Sequence, residues 1–382
     1  MRIPLLDLKR EYEYLKTDID KAVRECFESQ RWILGPQVKE FEHQASKYLG
    51  VKFAFGVASG TDALVLALSA LALKLKGKEF FDKEDEIITT PFTFVATAEA
   101  IVRCGATPVF VDINPDTYNI CPEAIKKAVT KNTIGIIPVH LYGLPADMNS
   151  ILEIAKDNDL FVVEDTAQAF GAEYRGKRVG TLGDIGAFSC FPSKNLGGCG
   201  DGGLIVANDL ELAEFTRVLR NHGQKKKYDA DFTGYNSRLD SIQAAILNVK
   251  LKHIDKFNEL RRGVAQRYDD AFSSVKEIQV PKLTADSRKQ IANLNHVYHL
   301  YTIKVDADRD KLLEYINSKG IESRVYYPVL LHKMAAFKRG KVCGDLKNSE
   351  DVLSRVLTLP IHPFLKEEEI EFIIEALKDH FK

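Results

Sequence analysis

Between about residue 50 and residue 235 the sequence alternates between two kinds of segment, and this alternation limits the possible fold more than any other feature. One kind is short, apolar and typical of strands: EIITTPFTFVA, TPVFVDI, IGIIPVHLYG, LFVVEDTAQAF, IGAFSCF and GGLIVAN. The other has the apolar spacing of helices, at 61–75, 95–103, 122–129, 148–157 and 209–221. Nearly continuous apolar strands separated by helices indicate a mostly parallel sheet with both faces covered. We expect a doubly wound α/β/α sandwich.

The flanking segments have a different pattern. A helix with mixed charges is predicted at about 9–28, and apolar residues in 238–272 recur at three and four, which indicates one long amphipathic helix or two in sequence. After it, HVYHLYTIKV reads as a strand, and RDKLLEYINSKG and EEEIEFIIEALKDHF read as helices. We predict two domains, an N-terminal arm with a large α/β domain at 1–250 and a connecting helix with a smaller α+β domain at 251–382.

Composition limits the class of partner. Lys and Arg total 53 and Asp and Glu total 54, so bulk charge predicts neither a nucleic acid nor an acidic membrane surface as partner. The six cysteines have no short spacing of the kind that a metal or redox site needs, so we expect no metal site. No apolar run approaches the ~18 residues of a membrane span, and a cytoplasmic protein is expected. The charged stretch 74–86 is predicted to be a surface insertion.

Ligands of an open parallel sheet bind beyond the carboxyl ends of its strands, and three features lie at such places. Ser-Gly-Thr at 59–61 opens a predicted helix, where free backbone N–H groups bind phosphate, although the same pattern serves as a simple helix cap. Asp165 ends an apolar strand, where burial of its charge needs compensation by a metal, a cationic nitrogen or a helix start. Phe94 follows another strand and could stack on a flat ring or belong to the core.

Lys194 lies in FSCFPSKNLGGCGDGG, between a hydrophobic run and several glycines. A solvated lysine in a flexible loop is the common reading of such a stretch. Apolar segments on both sides instead favour a glycine loop held between two buried strands, where backbone approaches a ligand closely. A lysine shielded from water there has a lowered pKa and can act as an amine nucleophile and proton carrier.

Pyridoxal phosphate requires all of these groups. Its aldehyde reacts with a lysine, its ring nitrogen pairs with a carboxylate, its ring stacks on a flat side chain, and its phosphate binds a helix N-terminus. The four features together are far more specific than any one of them. The sequence therefore predicts a pyridoxal phosphate site.

At these residues the chain resembles the DegT/DnrJ/EryC1/StrS sugar aminotransferases, a branch of the fold-type-I, aspartate aminotransferase-like enzymes. The similarity runs nearly end to end and includes WILGPQVKEFE, SGTDAL, TPFTFVATAEAI, PVHLYGLPADM, EDTAQAFGA, FPSKNLGGCGDGG and GYNSRLDSIQAA. The resemblance implies a mostly parallel seven-stranded sheet in the large domain. Two departures stand out: the family's Asn-Gly-Thr turn is Ser-Gly-Thr here, and YPVLLH lacks the proline that commonly precedes Leu-His.

The resemblance also implies roles for individual residues. Lys194 would be the Schiff-base lysine that shuttles the proton, and Asp165 would pair with the ring nitrogen. Gln168 would bond the ring 3-oxygen, and Phe94 would stack on the ring. The implied phosphate ligands are Gly60, Thr61, Ser189 and, from the neighbouring subunit of a homodimer, Asn236. The suggested substrate contacts are Trp32, Tyr327 and His332.

The implied reaction moves the amino group of L-glutamate, which leaves as 2-oxoglutarate, to a nucleotide-linked keto-sugar. A 3-keto sugar such as a dTDP-3-keto-6-deoxyhexose is favoured over a 4-keto sugar. The product would enter amino-sugar or glycan biosynthesis, such as lipopolysaccharide O-antigen or S-layer glycan. Three alternatives stay open at this point: a dehydratase, whose members carry histidine at the position of Lys194; a non-catalytic regulator or binding protein; and an amino-acid decarboxylase or lyase.

Overall fold

The computed structural model describes residues 1–283 and 294–382. Its α-helices are α1 Leu8–Ser29, α2 Pro36–Leu49, α3 Gly60–Lys76, α4 Ala96–Arg103, α5 Pro122–Ala128, α6 Met148–Asp157, α7 Leu210–Leu219, α8 Ser241–Leu251, α9 Ile254–Phe272, α10 Arg309–Ser318, α11 Lys347–Arg355 and α12 Glu367–His380. Its strands are β1 Phe53–Val57, β2 Glu86–Thr89, β3 Thr107–Phe110, β4 Thr133–Ile136, β5 Phe161–Asp165, β6 Glu173–Tyr174, β7 Lys177–Arg178, β8 Ile185–Ser189, β9 Gly203–Ala207, β10 Gln224–Lys226, β11 Asp229–Ala230, β12 Ile278–Gln279, β13 Tyr301–Val305, β14 Lys341–Val342 and β15 Val356–Leu359.

The large sheet has the order β1-β9-β8-β5-β4-β2-β3-β14, and every neighbouring pair is parallel except the two that involve β9. Helix α3 packs against this sheet with eleven consecutive buried residues, Ala63 to Leu73, which explains why its sequence is apolar on all sides. The predicted mostly parallel α/β sheet is confirmed. The number of strands was one too low, because β14 adds an eighth strand parallel to β3. A two-residue edge strand is too short to show the alternating apolar pattern from which strands are predicted.

One edge of the sheet brings together the ends of four strands. Residues Val57 and Ser189 end β1 and β8, and both pair with Gly203 at the start of the antiparallel β9. Asp165 ends β5 beside them, since β5 and β8 are parallel neighbours. Helix α3 begins three residues after β1, so its N-terminus lies at this same edge.

The segment 238–272 forms two helices, α8 and α9, which is one of the two alternatives left open. The strand predicted at 296–305 begins only at Tyr301, because the preceding backbone takes a left-handed conformation at Tyr298, with φ of 41°. Helix α2 was not predicted. It begins after Gly35 with a proline at its first position and packs on α8.

The stretch 74–86 is only partly the surface insertion that was predicted. Its first residues complete α3, Phe81 is buried, and Glu86 begins β2 with its side chain buried. Lys76 donates to Asp85 at 2.6 Å, and these two residues tie the loop to the end of the helix. The prediction relied on charge alone. The ion pair with Lys76 allows the carboxylate of Asp85 to lie largely buried beside the core.

The C-terminal part contains a second, antiparallel sheet of order β12-β13-β15, covered by α9, α10 and α12. The N-terminal residue Ile3 belongs to the same hydrophobic cluster and pairs with Ile321. Through this contact the N-terminal residues pack against the C-terminal part. The division of the chain at residue 250 stays a prediction. Within the described ranges, no helix combines the length and the apolar character needed to span a bilayer.

Candidate active site

A cavity of about 450 Å³ lies at the edge where β1, β5 and β8 end. Its walls come from three parts of the chain: the N-terminal arm, the large sheet with its connecting loops, and the C-terminal part. Its lining residues include Gly60, Thr61, Phe94, Asp165, Gln168, Ser189, Lys194, His299, Tyr326 and Tyr327. The volume falls within the ~300–1,000 Å³ that is typical of small-molecule sites.

The start of α3 forms one wall. The Ser59 side chain caps the helix by accepting from the Asp62 amide at 3.1 Å. The amides of Gly60 and Thr61, the first two residues of α3, donate to no group in the described part of the chain. They lie at the positive end of the dipole of a 17-residue helix, which favours an anion here. A Cβ at Gly60 would lie 2.6 Å from the Cβ of Ser189, so only glycine lets the helix come this close to the end of β8. The result is an anion-binding corner.

Asp165 is buried at the end of β5. Its Oδ2 accepts from the Thr97 hydroxyl at 2.8 Å, and its Oδ1 accepts from the Ala167 amide at 3.2 Å. Burial raises the pKa of this carboxyl, while the Thr97 and Ala167 hydrogen bonds and the nearby Lys194 act in the opposite direction. Among the described residues no cation lies within ion-pair distance of Asp165. The carboxylate can therefore accept a further hydrogen bond from a cationic ligand.

A second buried carboxylate lies directly behind Asp165. Glu164 accepts from the amides of Gly180, Leu182 and Gly183 at 2.6–2.8 Å. It also contacts His140 Nε2 at 3.0 Å, and because His140 Nδ1 accepts from a backbone amide, Nε2 carries the proton and donates to Glu164. These bonds join the end of β5 to the turn at 180–183, which precedes β8, and so fix the backbone that carries Asp165.

Gln168 links two sides of the cavity. Its Oε1 accepts from the Tyr142 amide at 2.7 Å, and its Nε2 donates to the Tyr327 hydroxyl at 2.7 Å. The Tyr142 hydroxyl in turn donates to the carbonyl of Tyr326. One of the two Nε2 hydrogens of Gln168 is left for a ligand. Tyr327 therefore lies in the cavity, where a substrate contact was predicted.

Lys194 lies on the glycine-rich loop after β8 and lines the cavity. Removal of water lowers the pKa of its amine to about 8, and the opposite charge of Asp165 partly counteracts that effect. An amine with this pKa is still mostly protonated at neutral pH, but its neutral, basic fraction is far larger than that of a solvated lysine. The structure thus brings the predicted amine and carboxylate into one cavity.

Of the two phenylalanines in PFTF, only Phe94 reaches the cavity. Phe92 is fully buried, whereas Phe94 is 53% exposed and its ring centre lies 6.3 Å from that of Tyr327. An exposed ring at the mouth of a cavity is available to stack on a flat ligand. The second exposed ring at this cavity, Phe191, was not predicted.

Three predicted site residues lie outside this cavity. Asn236 is exposed and its side-chain oxygen accepts from Arg238. Trp32 packs edge-on against Phe27, with ring centres 5.1 Å apart. The His332 ring lies beside Phe110. None of the three is among the residues that line the cavity in the described part of the chain, and the suggested roles of Trp32 and His332 in substrate binding stay predictions.

Several lining residues were missed by sequence reasoning. Thr97 was also missed: it does not line the cavity, but it donates to Asp165 from the first turn of α4. His299 and Tyr326 come from the C-terminal part, and Leu5 and Leu6 from the N-terminal arm. No local pattern marks these four, because only the packing of distant segments places them at the cavity.

The groups around the cavity fit pyridoxal phosphate. The free amides at the start of α3 suit its phosphate, and Asp165 offers a buried carboxylate without a cationic partner among the described residues. Lys194 supplies an amine of lowered pKa, and Phe94 supplies an exposed ring. Each group is of the kind that the corresponding part of this cofactor requires.

Comparisons with known proteins agree with this chemistry. The model of the DegT/DnrJ/EryC1/StrS aminotransferase family matches residues 13–378. The chain is 45% identical over 383 residues to a "Pleiotropic regulatory protein" of Geobacillus stearothermophilus, covering 100% of this chain and 99% of that protein. It is 42% identical to a UDP-N-acetyl-3-dehydro-alpha-D-glucosamine 3-aminotransferase of Acidithiobacillus ferrooxidans, covering 98% of this chain and 97% of that one.

Among solved structures, DesV of S. venezuelae in complex with a ketimine intermediate superposes with a TM-score of 0.93 at 38% identity, covering 100% of this chain and 99% of that chain. Related solved chains hold pyridoxamine phosphate or hydrated pyridoxal phosphate. The expected fold type I and the expected cofactor are confirmed. The chain belongs to the DegT/DnrJ/EryC1/StrS aminotransferase family and is a pyridoxal-phosphate-dependent transaminase.

Proposed function

We propose that the chain transfers the amino group of L-glutamate to carbon 3 of a nucleotide-linked 3-keto sugar. The name of the A. ferrooxidans relative specifies a 3-aminotransferase, and three further relatives have names that put the nitrogen at carbon 3 of a dTDP- or UDP-sugar. These four are 38–42% identical to this chain over nearly its full length. The single observation that carries the catalytic part is Lys194 in the same cavity as Asp165.

Each proposed cofactor contact follows from the geometry above. Gly60, Thr61 and Ser189 hold the phosphate through amides and hydroxyls at the start of α3 and the end of β8. When bound, the cofactor supplies an aldehyde that bonds amines and a ring that withdraws electrons from the bound carbon. Asp165 keeps a proton on the ring nitrogen, because a buried carboxylate stabilises a cation beside it.

Lys194 moves the proton. Its amine has a pKa of about 8, so near neutral pH it accepts a proton from a substrate carbon and returns it to a neighbouring atom with little energetic bias in either direction. The low water content that lowers this pKa also protects the transferred proton from exchange. Phe94 would stack on the cofactor ring, and Gln168 would donate to the oxygen on that ring. Tyr327 lines the same cavity beside Gln168 and is the proposed contact for the sugar.

We also propose a homodimer. Asn236 lies outside the cavity of its own chain and is exposed, which suits a residue that reaches the phosphate in a second copy. Phe94 and Phe191 are each more than half exposed at the cavity mouth, and a partner surface would cover them. Mixing an inactive Lys194→Ala chain with an inactive Asn236→Ala chain tests this arrangement. A shared site predicts partial recovery of activity in the mixture, and a monomeric site predicts none.

The function is tested by a coupled assay with glutamate as donor and a panel of nucleotide-linked 3-keto and 4-keto sugars, the product being identified by mass and NMR. We expect amination of a 3-keto sugar and no product with Lys194→Ala. Amination only of 4-keto sugars would overturn the assignment of position. If the visible absorbance of the holoenzyme does not change on addition of glutamate, the chain is a binding protein and the proposal fails.

A further inference from the structure

Lys194 lies in a loop without regular structure, and the side chain that follows it anchors that loop. The Lys194 amide donates to the carbonyl of Phe191 at 2.8 Å. Asn195 then uses both hydrogens of its Nδ2, donating to Asn258 Oδ1 at 2.8 Å and to the carbonyl of Val297 at 2.9 Å. Two hydrogen bonds from one planar amide fix the direction of the backbone next to the lysine.

Asn258 connects the lysine loop to the segment that follows β5. It lies on α9, is 1% exposed, and donates from Nδ2 to the carbonyl of Phe170 at 3.1 Å. Phe170 belongs to the segment that carries Asp165 and Gln168. Each functional atom of the Asn258 amide is thus committed, the oxygen to the lysine loop and the nitrogen to the loop after β5.

Val297 provides a third connection. Its amide donates to the carbonyl of Gly143 at 3.1 Å, and two residues later His299 lines the cavity. The imidazole of His299 is buried, and burial together with the nearby Lys194 and Arg261 lowers its pKa well below the ordinary value. The neutral ring adds no charge beside the lysine amine.

We propose that Asn195 and Asn258 are positioning residues, which hold the amine of Lys194 in register with Asp165 by joining the lysine loop to the loops 165–170 and 297–300. The inference rests on the proposed role of Lys194 as the amine that bonds the cofactor. Asparagine suits both positions, because the Asn258 amide both donates and accepts and the Asn195 amide donates twice. Leucine would leave the partner carbonyls unpaired, at a cost of ~1–3 kcal/mol for each buried group.

The test compares Asn195→Ala, Asn258→Ala and the double variant as full-length apoenzyme. The rate at which each captures added pyridoxal phosphate is followed by visible absorbance across pH, and the Lys194→Ala rate is subtracted as the contribution of other lysines. Only the neutral amine reacts, so the midpoint of the profile reports the pKa of Lys194. Equilibrium dialysis gives the dissociation constant of the cofactor.

We expect the midpoint for Asn195→Ala to rise by about one pH unit, towards the ~10.4 of a solvated lysine, because a looser loop admits water. The dissociation constant should rise about tenfold, which matches the loss of one or two buried hydrogen bonds. Asn258→Ala leaves the bond to Val297 and should shift both quantities less, in the same direction. The double variant should lose less than the sum of the two single losses, since both changes break the bond between Asn195 and Asn258.

Asn248→Ala is the matched control, because Asn248 Nδ2 donates to the carbonyl of Gln37 at 3.0 Å, away from the cavity. It should lower thermal stability and leave the profile unchanged. If Asn195→Ala and Asn258→Ala lose stability in the same way and keep the wild-type midpoint and dissociation constant, the proposal is wrong. Should Asn195→Ala not fold, a wild-type profile in Asn258→Ala alone refutes it. A wild-type pH profile in these variants would refute the positioning role and leave the proposed transaminase function intact. Failure of the sugar assay would refute the proposed substrate and leave the positioning role intact.

Discussion

Replacing Lys194 with methionine should stabilise the apoenzyme at pH 7 while it abolishes transamination. The two side chains are similar in length, but methionine carries no charge that the cavity has to hold away from water. Burial lowers the pKa of Lys194 from 10.5 to about 8, and this difference measures the cost of its charged form in the folded chain.

The size of the gain follows from that difference. A pKa lowered by about 2.5 pH units corresponds to ~3 kcal/mol at ~1.4 kcal/mol per unit, which is the ceiling for the effect. Asp165 loses a neighbouring cation in the variant, so the measured gain should be smaller, about 1–2 kcal/mol. A gain in stability on losing an active-site residue would identify Lys194 as a residue held for function at the expense of the fold.

The effect has a defined pH window. Below pH 8 the lysine is protonated in both the folded and the unfolded chain, so its full cost is present. As pH rises from 8 to 10.5 the folded chain has lost its proton while the unfolded chain still binds one, and the stability of the wild-type apoenzyme therefore rises relative to the variant. Above 10.5 the difference disappears.

The assay is urea unfolding of both apoenzymes at pH 7 and pH 10, at one fixed protein concentration, with linear extrapolation of the free energy of unfolding. Lys250→Met is the control. Lys250 is more buried than Lys194 and forms an ion pair with Glu11, so its loss should destabilise the chain. The reasoning is refuted if Lys194→Met is less stable than wild type at pH 7, or if the difference between them does not shrink at pH 10.

Four further changes test other parts of the site. Asp165→Asn should lower kcat by about 10²–10³, because a neutral amide does not stabilise a protonated ring nitrogen; stopped-flow loss of the visible band with glutamate measures it. Tyr327→Phe removes the acceptor of the 2.7 Å bond from Gln168 and should reduce kcat/KM for the sugar about fivefold, or ~1 kcal/mol, in steady-state kinetics. Gly60→Val should raise the dissociation constant of the cofactor at least about tenfold by dialysis, since a Cβ there meets the side chain that ends β8 at 2.6 Å. Glu164→Gln should lower the urea-unfolding free energy by ~2–3 kcal/mol, because its new amide faces backbone N–H donors.

The sequence alone carried the parts of the site that are local. Asp165 and Lys194 each follow an apolar strand, and the helix-opening turn at 59–61 has the spacing of an N-cap. Parallel strands end at one edge of a sheet, so these residues could be assigned to a common site before any distance was known. The apolar pattern likewise predicted six of the eight strands of the large sheet, all except β1 and β14.

Only the tertiary structure decided which side chains complete the cavity. His299 and Tyr326 come from the C-terminal part, and Leu5 from the N-terminal arm, yet all three line the same cavity as residues more than a hundred positions away. The bond between Asn195 and Asn258 joins residues 63 positions apart. Such contacts depend on how helices and sheets pack against each other, and periodicity reports only which face of an element is buried, not what it is buried against.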